Sequence, residues 1–282
     1  MDPAEKQSID AAEDERNPPQ NTSGPAAIDL LGVGIHVLTE EQCIGYMLDE
    51  LDAGRGGWVH TVNLDILKRR VCDRSFAQLC APTRLVVADG MPLVWASRIQ
   101  RTPLPERVAG SHLVASLSAR AAERGRSLFL LGGNPGTAEE AAQILQERSP
   151  ALEIAGLVCP EVGFESDDKY IQHLENQLKV AAPDIIYVAL GVPKQEDLIA
   201  RLRHVLPQAW WMGVGISFSY LSGDVPQAPK WMQRVGLEWG YRLWQEPGRL
   251  ARRYLVDDVP FALRMMANAG VKRFFKRVGK QN

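Results

Sequence analysis

Asp89 is the residue on which a chemical reading of this chain can be built. It ends the run Arg84-Leu85-Val86-Val87-Ala88-Asp89-Gly90-Met91-Pro92. A carboxylate that closes an apolar, β-branched run, with a glycine next to it that lets backbone come near, is placed for general acid–base work. The alternative is a plain N-cap for a helix over 93–99. Other polar groups fall at comparable points. Thr61 and Asn63 are small, two residues apart, and turn toward one side of a strand exit, although such a pair also makes ordinary turns and caps. Gly191-Val-Pro-Lys194-Gln195-Glu196 sets a cation and an amide at a helix start, where they suit a diphosphate or a sugar hydroxyl. A stiff turn with a solvated lysine is the competing reading. Gly132 and Gly133, in Leu131-Gly132-Gly133-Asn-Pro-Gly136, offer backbone N–H groups to a phosphate, or else form a common β–α turn. That loop has neither GxGxxG spacing nor a Walker lysine. Arg107, in Pro105-Glu106-Arg107, is an anion clamp or a solvated loop arginine. The five histidines have no metal-binding spacing and there is no GxSxG, so zinc hydrolysis and Ser–His–Asp catalysis have little support.

Positioning these groups requires strands that end where they stand. The sequence predicts strands at 28–37, 58–62, 85–88, 127–131, 154–158, 184–190 and 210–214. Helices are predicted from Thr39, through 64–79, and over 93–99, 112–125, 137–149, 168–181 and 194–205. Gly32 and Gly34 read as bulge points in the first strand, and Thr39-Glu-Glu-Gln42 as a capping box. Strands alternating with helices, with glycine at nearly every strand exit, predict an α/β, Rossmann-like, mostly parallel sheet with helices on both faces. In such sheets ligands bind outside the carboxyl ends of the strands. After Gly223 the character changes. Lys230–Gln245 reads as one Trp-rich helix with Met232, Val235, Trp239 and Leu243 at core spacing, followed by a basic amphipathic segment. The expected organisation is an acidic disordered tail (1–26), an α/β core (27–225) and a basic, aromatic-rich helical appendage (226–282).

The formal net charge of the 282 residues is only -2, which argues against a nucleic-acid partner. The balance is uneven: residues 1–25 carry two Lys/Arg against six Asp/Glu, and residues 226–282 carry twelve against four. A basic end on a near-neutral body suggests an anionic ligand or surface there. The clusters Gly248-Arg249-Leu-Ala-Arg252-Arg253-Tyr254 and Lys272-Arg273-Phe-Phe-Lys276-Arg277 interleave cations with aromatics, a pattern that adsorbs to anionic bilayers or is simply a solvated helix face. No apolar run approaches the roughly 20 residues of a spanning helix. The four scattered cysteines read as reduced thiols.

Taken in order, the motifs resemble one family, the bacterial WecG/TagA/CpsF glycosyltransferases (glycosyltransferase family 26). The matching pieces are Thr61-Val-Asn63, Ala88-Asp-Gly-Met-Pro92, Glu106-Arg-Val-Ala-Gly-Ser111, Leu130-Leu-Gly-Gly133, Ala189-Leu-Gly-Val-Pro-Lys-Gln-Glu196 and Gly213-Val-Gly215. They continue with Ala228-Pro-Lys-Trp231, Gly236-Leu-Glu-Trp239, Tyr241-Arg-Leu243 and Glu246-Pro-Gly-Arg-Leu-Ala-Arg-Arg-Tyr254. The resemblance spans about Ile28 to Tyr254. It implies an inverting, metal-independent and cofactor-free transfer from a UDP-sugar to a polyprenyl-diphosphate-linked saccharide, in exopolysaccharide or other cell-surface glycan assembly. The enzyme would work peripherally on the cytosolic membrane face. Asp89 would be the general base. Thr61, Asn63, Gln195 and Arg107 would line the pocket, and Arg242, Arg249, Arg252 and Arg253 would close over it and hold diphosphate charge. Three positions depart from the pattern: His112 and Ser219 where an Asp is usual, and Gln227 where an Arg is usual. They leave the donor open among N-acetylmannosamine, its uronic acid and glucose. A homo-oligomer is left open too. The rival readings are a nucleotide-cofactor oxidoreductase on a similar sheet, which calls for a GxGxxG that Gly32-Val-Gly34 does not supply, and a non-catalytic membrane adaptor.

Overall fold

The computed structural model describes residues 24–278 apart from Val235, and not the side chains of residues 230, 234, 249 and 275–278. Most of the expected acidic tail, and the Val235 core position, therefore lie outside the described residues.

The chain opens with β1 (Ala27–Leu30) and β2 (Val33–His36), an antiparallel pair with Leu30 opposite Val33. This corrects the single strand expected over 28–37. Leu31 and Gly32 both adopt positive φ (55° and 89°), the backbone of a two-residue hairpin turn, so Gly32 turns the chain and Gly34 pairs within β2. The helix α1 (Glu40–Asp52) starts at the expected capping box: Thr39 accepts from the Gln42 N–H, and the Gln42 side chain accepts from the Thr39 N–H.

The α/β body follows as β3 (Gly57–Val62), α2 (Leu64–Cys72), α3 (Arg74–Leu79), β4 (Leu85–Ala88), α4 (Met91–Ile99) and α5 (Gly110–Glu123). It continues with β5 (Ser127–Gly132), α6 (Thr137–Arg148), β6 (Glu153–Val158), α7 (Asp168–Ala181), β7 (Ile185–Ala189), α8 (Lys194–Leu202) and β8 (Trp210–Gly213). The expected helix over 64–79 is two, because Asp73 caps a new start by accepting from the Ser75 and Phe76 N–H groups.

The six strands from β3 to β8 form one sheet in the order β4-β3-β8-β7-β5-β6, and every pairing is parallel. Its strands read as continuous apolar runs because both faces are covered. Alternation divides them: Trp58, Val86, Phe129, Ile186 and Trp211 face one core, with α2, α4, α7 and α8. Val59, Val87, Leu130, Tyr187 and Met212 face the other, with α1, α5 and α6.

Past β8 the chain forms α9 (Ser217–Ser222), α10 (Lys230–Arg234), α11 (Glu238–Gln245) and α12 (Pro247–Ala251). The last runs through a π-helical stretch (Arg252–Asp258) into α13 (Val259–Val278). The single helix expected over 230–245 is corrected to two. Gly236 (φ 77°) separates them, and a Cβ there would lie 2.7 Å from that of Met91 and 3.2 Å from the Trp95 ring, so only glycine lets the chain cross α4 this closely. Trp239 is consequently not a core residue; it lies partly exposed, edge-on to Tyr254. Phe261, Met265 and Ala269 of α13 complete the core on the α4 face. Among the described residues no helix is long and apolar enough to cross a membrane.

Candidate active site

The site begins with the register of β3 and β4. Thr61 pairs with Val87 and Val62 with Ala88, so one step further Asn63 and Asp89 stand abreast at the carboxyl end of the sheet. The Asp89 N–H is anchored on the Val62 carbonyl at 2.8 Å. Alternation sends the Thr61 and Asp89 side chains to the α5 face. The start of α5 comes in close there: a Cβ on Gly110 would lie 2.9 Å from Thr61 Oγ1 and 3.6 Å from Asp89 Oδ2. The Gly110 N–H donates to the Asp89 carboxylate. Gly90, not Asp89, is the N-cap of α4, and it makes no side-chain cap bond. Asp89 is thus turned away from the next helix and toward Thr61 and the start of α5.

Burial pushes the Asp89 carboxyl from an ordinary 3.8 up to about 7. Arg107 and Arg242 pull the value down, as does the Gly110 hydrogen bond, while Glu238 pushes it up. A carboxyl poised near neutrality beside two guanidiniums suits a base that must accept a proton and later release it. Arg107 itself is held by Glu238, Nη1 to Oε2 at 2.8 Å, a bond between the core and α11. Tyr220, on α9, shares this neighbourhood. Burial pushes its phenol up to about 12, with Arg242 opposing and Glu238, Tyr254 and Asp89 adding.

The remaining expected residues divide between the cleft and its supports. Asn63 caps α2, its Oδ1 accepting from the Ile66 N–H at 3.0 Å, so what it offers a ligand is its amide donors. Gln195 is buried and bridges two strand exits: its Oε1 accepts from the Gly215 N–H (3.0 Å) and its Nε2 donates to Glu196 (2.9 Å). Glu196 lies in the core at 1% exposure, on the opposite face of the sheet from Asp89. Lys194 pairs with Glu165 at 2.8 Å, and Gly191 (φ 73°) makes the turn that leads to it. Gly132 and Gly133 have positive φ, and a Cβ on either would strike the Ala189 carbonyl or Thr137 Oγ1 at 2.6–2.7 Å; close packing of the β5 exit accounts for both.

Of the three expected C-terminal arginines whose side chains are described, Arg242 is among the charges around Asp89. Arg253 pairs with Asp65 at 3.1 Å, Arg252 is exposed, and the Arg249 side chain lies outside the described residues. The departures fall on interactions as well. His112 contacts Gln233 of α10 at 2.7 Å and Ser219 is buried near Asn134, whereas Gln227 is exposed. Sequence reasoning missed Glu238 and Tyr220 as neighbours of Asp89. Glu238 stands in the motif Gly236-Leu-Glu-Trp239 and is brought there by the return of the chain over α4, whereas Tyr220 is carried there by α9 at the exit of β8 and has no signal in the sequence.

A carboxyl at the exits of a parallel sheet, with guanidiniums beside it, is suited to transfer of a group from a substrate that departs as an anion. The chain matches the model of the glycosyl transferase WecG/TagA/CpsF family over residues 28–274, and it belongs to that family. It is a glycosyltransferase, which sets aside both the oxidoreductase and the non-catalytic adaptor. It is similar to the N-acetylglucosaminyldiphosphoundecaprenol N-acetyl-beta-D-mannosaminyltransferase of Bacillus subtilis (strain 168), 31% identical over 80% of this chain and 85% of that protein. The protein of the same name from Bacillus spizizenii is 31% identical over 79% of this chain and 84% of its own length.

Proposed function

We propose that this enzyme transfers a sugar from a UDP-sugar to the hydroxyl of an N-acetylglucosamine carried on a polyprenyl diphosphate, with inversion and without a divalent metal. The observation that carries the reading is the Asp89 carboxyl, pushed up to about 7 between Thr61, the Gly110 N–H and the Arg107 and Arg242 guanidiniums. Asp89 takes the proton of the acceptor hydroxyl as its oxygen bonds to the anomeric carbon. The bond from that carbon to the diphosphate breaks, and UDP leaves with the electron pair. Arg107 and Arg242 face the charge that develops, which is where cations lower the barrier. The Thr61 hydroxyl and the Asn63 amide contact the sugars. The acceptor follows from the names of the two relatives, and their N-acetylmannosamine heads the list of donors.

The appendage supports a membrane-bound acceptor. Leu255, Val256, Val259, Leu263 and Phe274 are exposed along the C-terminal helix, and exposed Trp244 precedes it. Apolar side chains on a basic helix are suited to lie in the interface of an anionic bilayer, here the inner face of the cell membrane. The test is a panel of UDP-linked N-acetylmannosamine, its uronic acid and glucose, offered with a synthetic lipid-diphosphate N-acetylglucosamine in EDTA. UDP release together with a lengthened glycan is expected with one donor. No product from any of them would overturn the proposal.

A further inference from the structure

A chain of buried polar groups crosses the sheet face opposite Asp89 and ends at the cleft. Arg70 Nη1 lies 3.2 Å from His60 Nδ1. Arginine only donates, so Nδ1 accepts and the imidazole proton sits on Nε2. Burial also pushes the His60 pKa down, which keeps the ring neutral. Its Nε2 points at Glu196 Oε1 from 3.6 Å, beyond hydrogen-bond length, and His60 and Glu196 are 3% and 1% exposed. Glu196 Oε1 accepts from Gln195 Nε2, and Gln195 Oε1 accepts from the Gly215 N–H. The Gln195 amide can satisfy both partners in one orientation only, because a carboxylate needs a donor and an N–H needs an acceptor. Gly213 makes room for it, since a Cβ there would lie 2.5 Å from Gln195 Nε2. The turn held in this way, from Gly213 through Gly215 (φ 56°), leads straight into α9 and Tyr220.

We propose that Glu196 is a positioning residue for glycosyl transfer: it fixes the Gln195 amide, and through it the Gly215 turn between β8 and α9. The idea rests on the transfer reaction proposed above. A polar group this deep requires hydrogen-bond partners. Its two near neighbours are the imidazole, which it does not reach, and the amide, which it does. Glu196 acts through Gln195 and does not touch substrate.

Three measurements on the full chain test the proposal: Tm, kcat and KM for the donor, and hydrogen exchange of the Gly215 amide. His60→Phe with Glu196→Leu removes both buried polar side chains and leaves Gln195 Nε2 and Arg70 Nη1 without these partners, so the fold is expected to survive with a lowered Tm. Gly215 is expected to lose protection, and kcat/KM to fall roughly tenfold or more as the turn moves. Glu196→Gln keeps an acceptor for Gln195, and both protection and rate should return toward wild type. A folded double variant with a protected Gly215, or with wild-type kcat/KM, would overturn the idea. If the double variant does not fold, Glu196→Ala is read by the same measurements. The exchange readout needs no turnover, so the two failures are told apart: a wild-type protein that transfers nothing sinks the proposed reaction, and a Gly215 amide that stays protected in the folded variant sinks the role of Glu196.

Discussion

Asp89→Asn should make the enzyme more stable and nearly inactive. The native carboxyl titrates at about 7 instead of 3.8, because burial disfavours its charge. A raised carboxyl pKa means that the folded state binds the proton more tightly than the unfolded one. Its cost to stability is therefore complete above about pH 7, fades as pH falls through the window between the two values, and is absent below 3.8. Three units correspond to about 4 kcal/mol. The cleft leaves part of the carboxyl in water, so the gain expected from the uncharged amide at pH 8 is roughly 2–3 kcal/mol, or a Tm rise of about 4–10 °C for a chain of this size. The Asn oxygen still accepts from the Gly110 N–H, so the local geometry is retained. An amide cannot take a proton, and kcat should fall by about 10²–10⁴. Thermal melts of both proteins at pH 8 and pH 5 are the assay, with UDP release alongside. The stability gap should narrow at the lower pH. A variant that melts below wild type at pH 8 would refute the burial argument, and wild-type turnover would remove Asp89 as the base.

The wild-type rate should follow an acid limb centred near pH 7, falling as pH drops because the base must be ionised. Arg107→Ala removes a group that lowers the Asp89 pKa and frees Glu238, which raises it, so the limb should move to higher pH and the donor KM should rise; an unmoved limb would place Arg107 outside the site. Gly110→Ala inserts a methyl between Thr61 and Asp89 and should lower kcat/KM about 10–100-fold with little change in Tm; near-normal kinetics would mean that substrate does not enter between them. Leu263→Glu with Phe274→Glu, both on the exposed face of α13, should reduce co-sedimentation with anionic vesicles while turnover on a soluble acceptor analogue is kept; undiminished binding would point to another anchor. Deleting residues from Pro226 onward should abolish both vesicle binding and transfer, and full co-sedimentation of that truncated chain would contradict the appendage as anchor.

The parallel core was legible because its signals are local. Apolar runs stop at or just before a glycine at β4, β5 and β7, and the Thr39 capping box fixes the start of α1. Asp89 could be singled out because it stands where such a run stops. The hairpin at 27–36 was not legible, since Leu31-Gly32 is not a pair that announces a hairpin turn. The break at Gly236 was missed because its cause, the Met91 and Trp95 side chains beneath it, lies about 140 residues away. The same distance hid Glu238 and Tyr220. Gln195 and Glu196 were found by type and place, but a one-dimensional reading cannot tell a side chain that lines a cleft from one that braces it. Arg253 shows the converse: a basic cluster looks free until Asp65 is found 3.1 Å away.

The bond from Arg107 to Glu238 joins two points 131 positions apart. Every strand of the sheet, and Asp89, precedes position 238 in the chain. A chain that stops before 238 has all the strands and Asp89, but lacks Glu238 and Arg242 and the Phe261, Met265 and Ala269 that complete the core on the α4 face. The residues that add charge around Asp89 and those that cover the α4 face thus come from the same last part of the sequence, so losing that part bares the core and strips the carboxyl of two charged neighbours together.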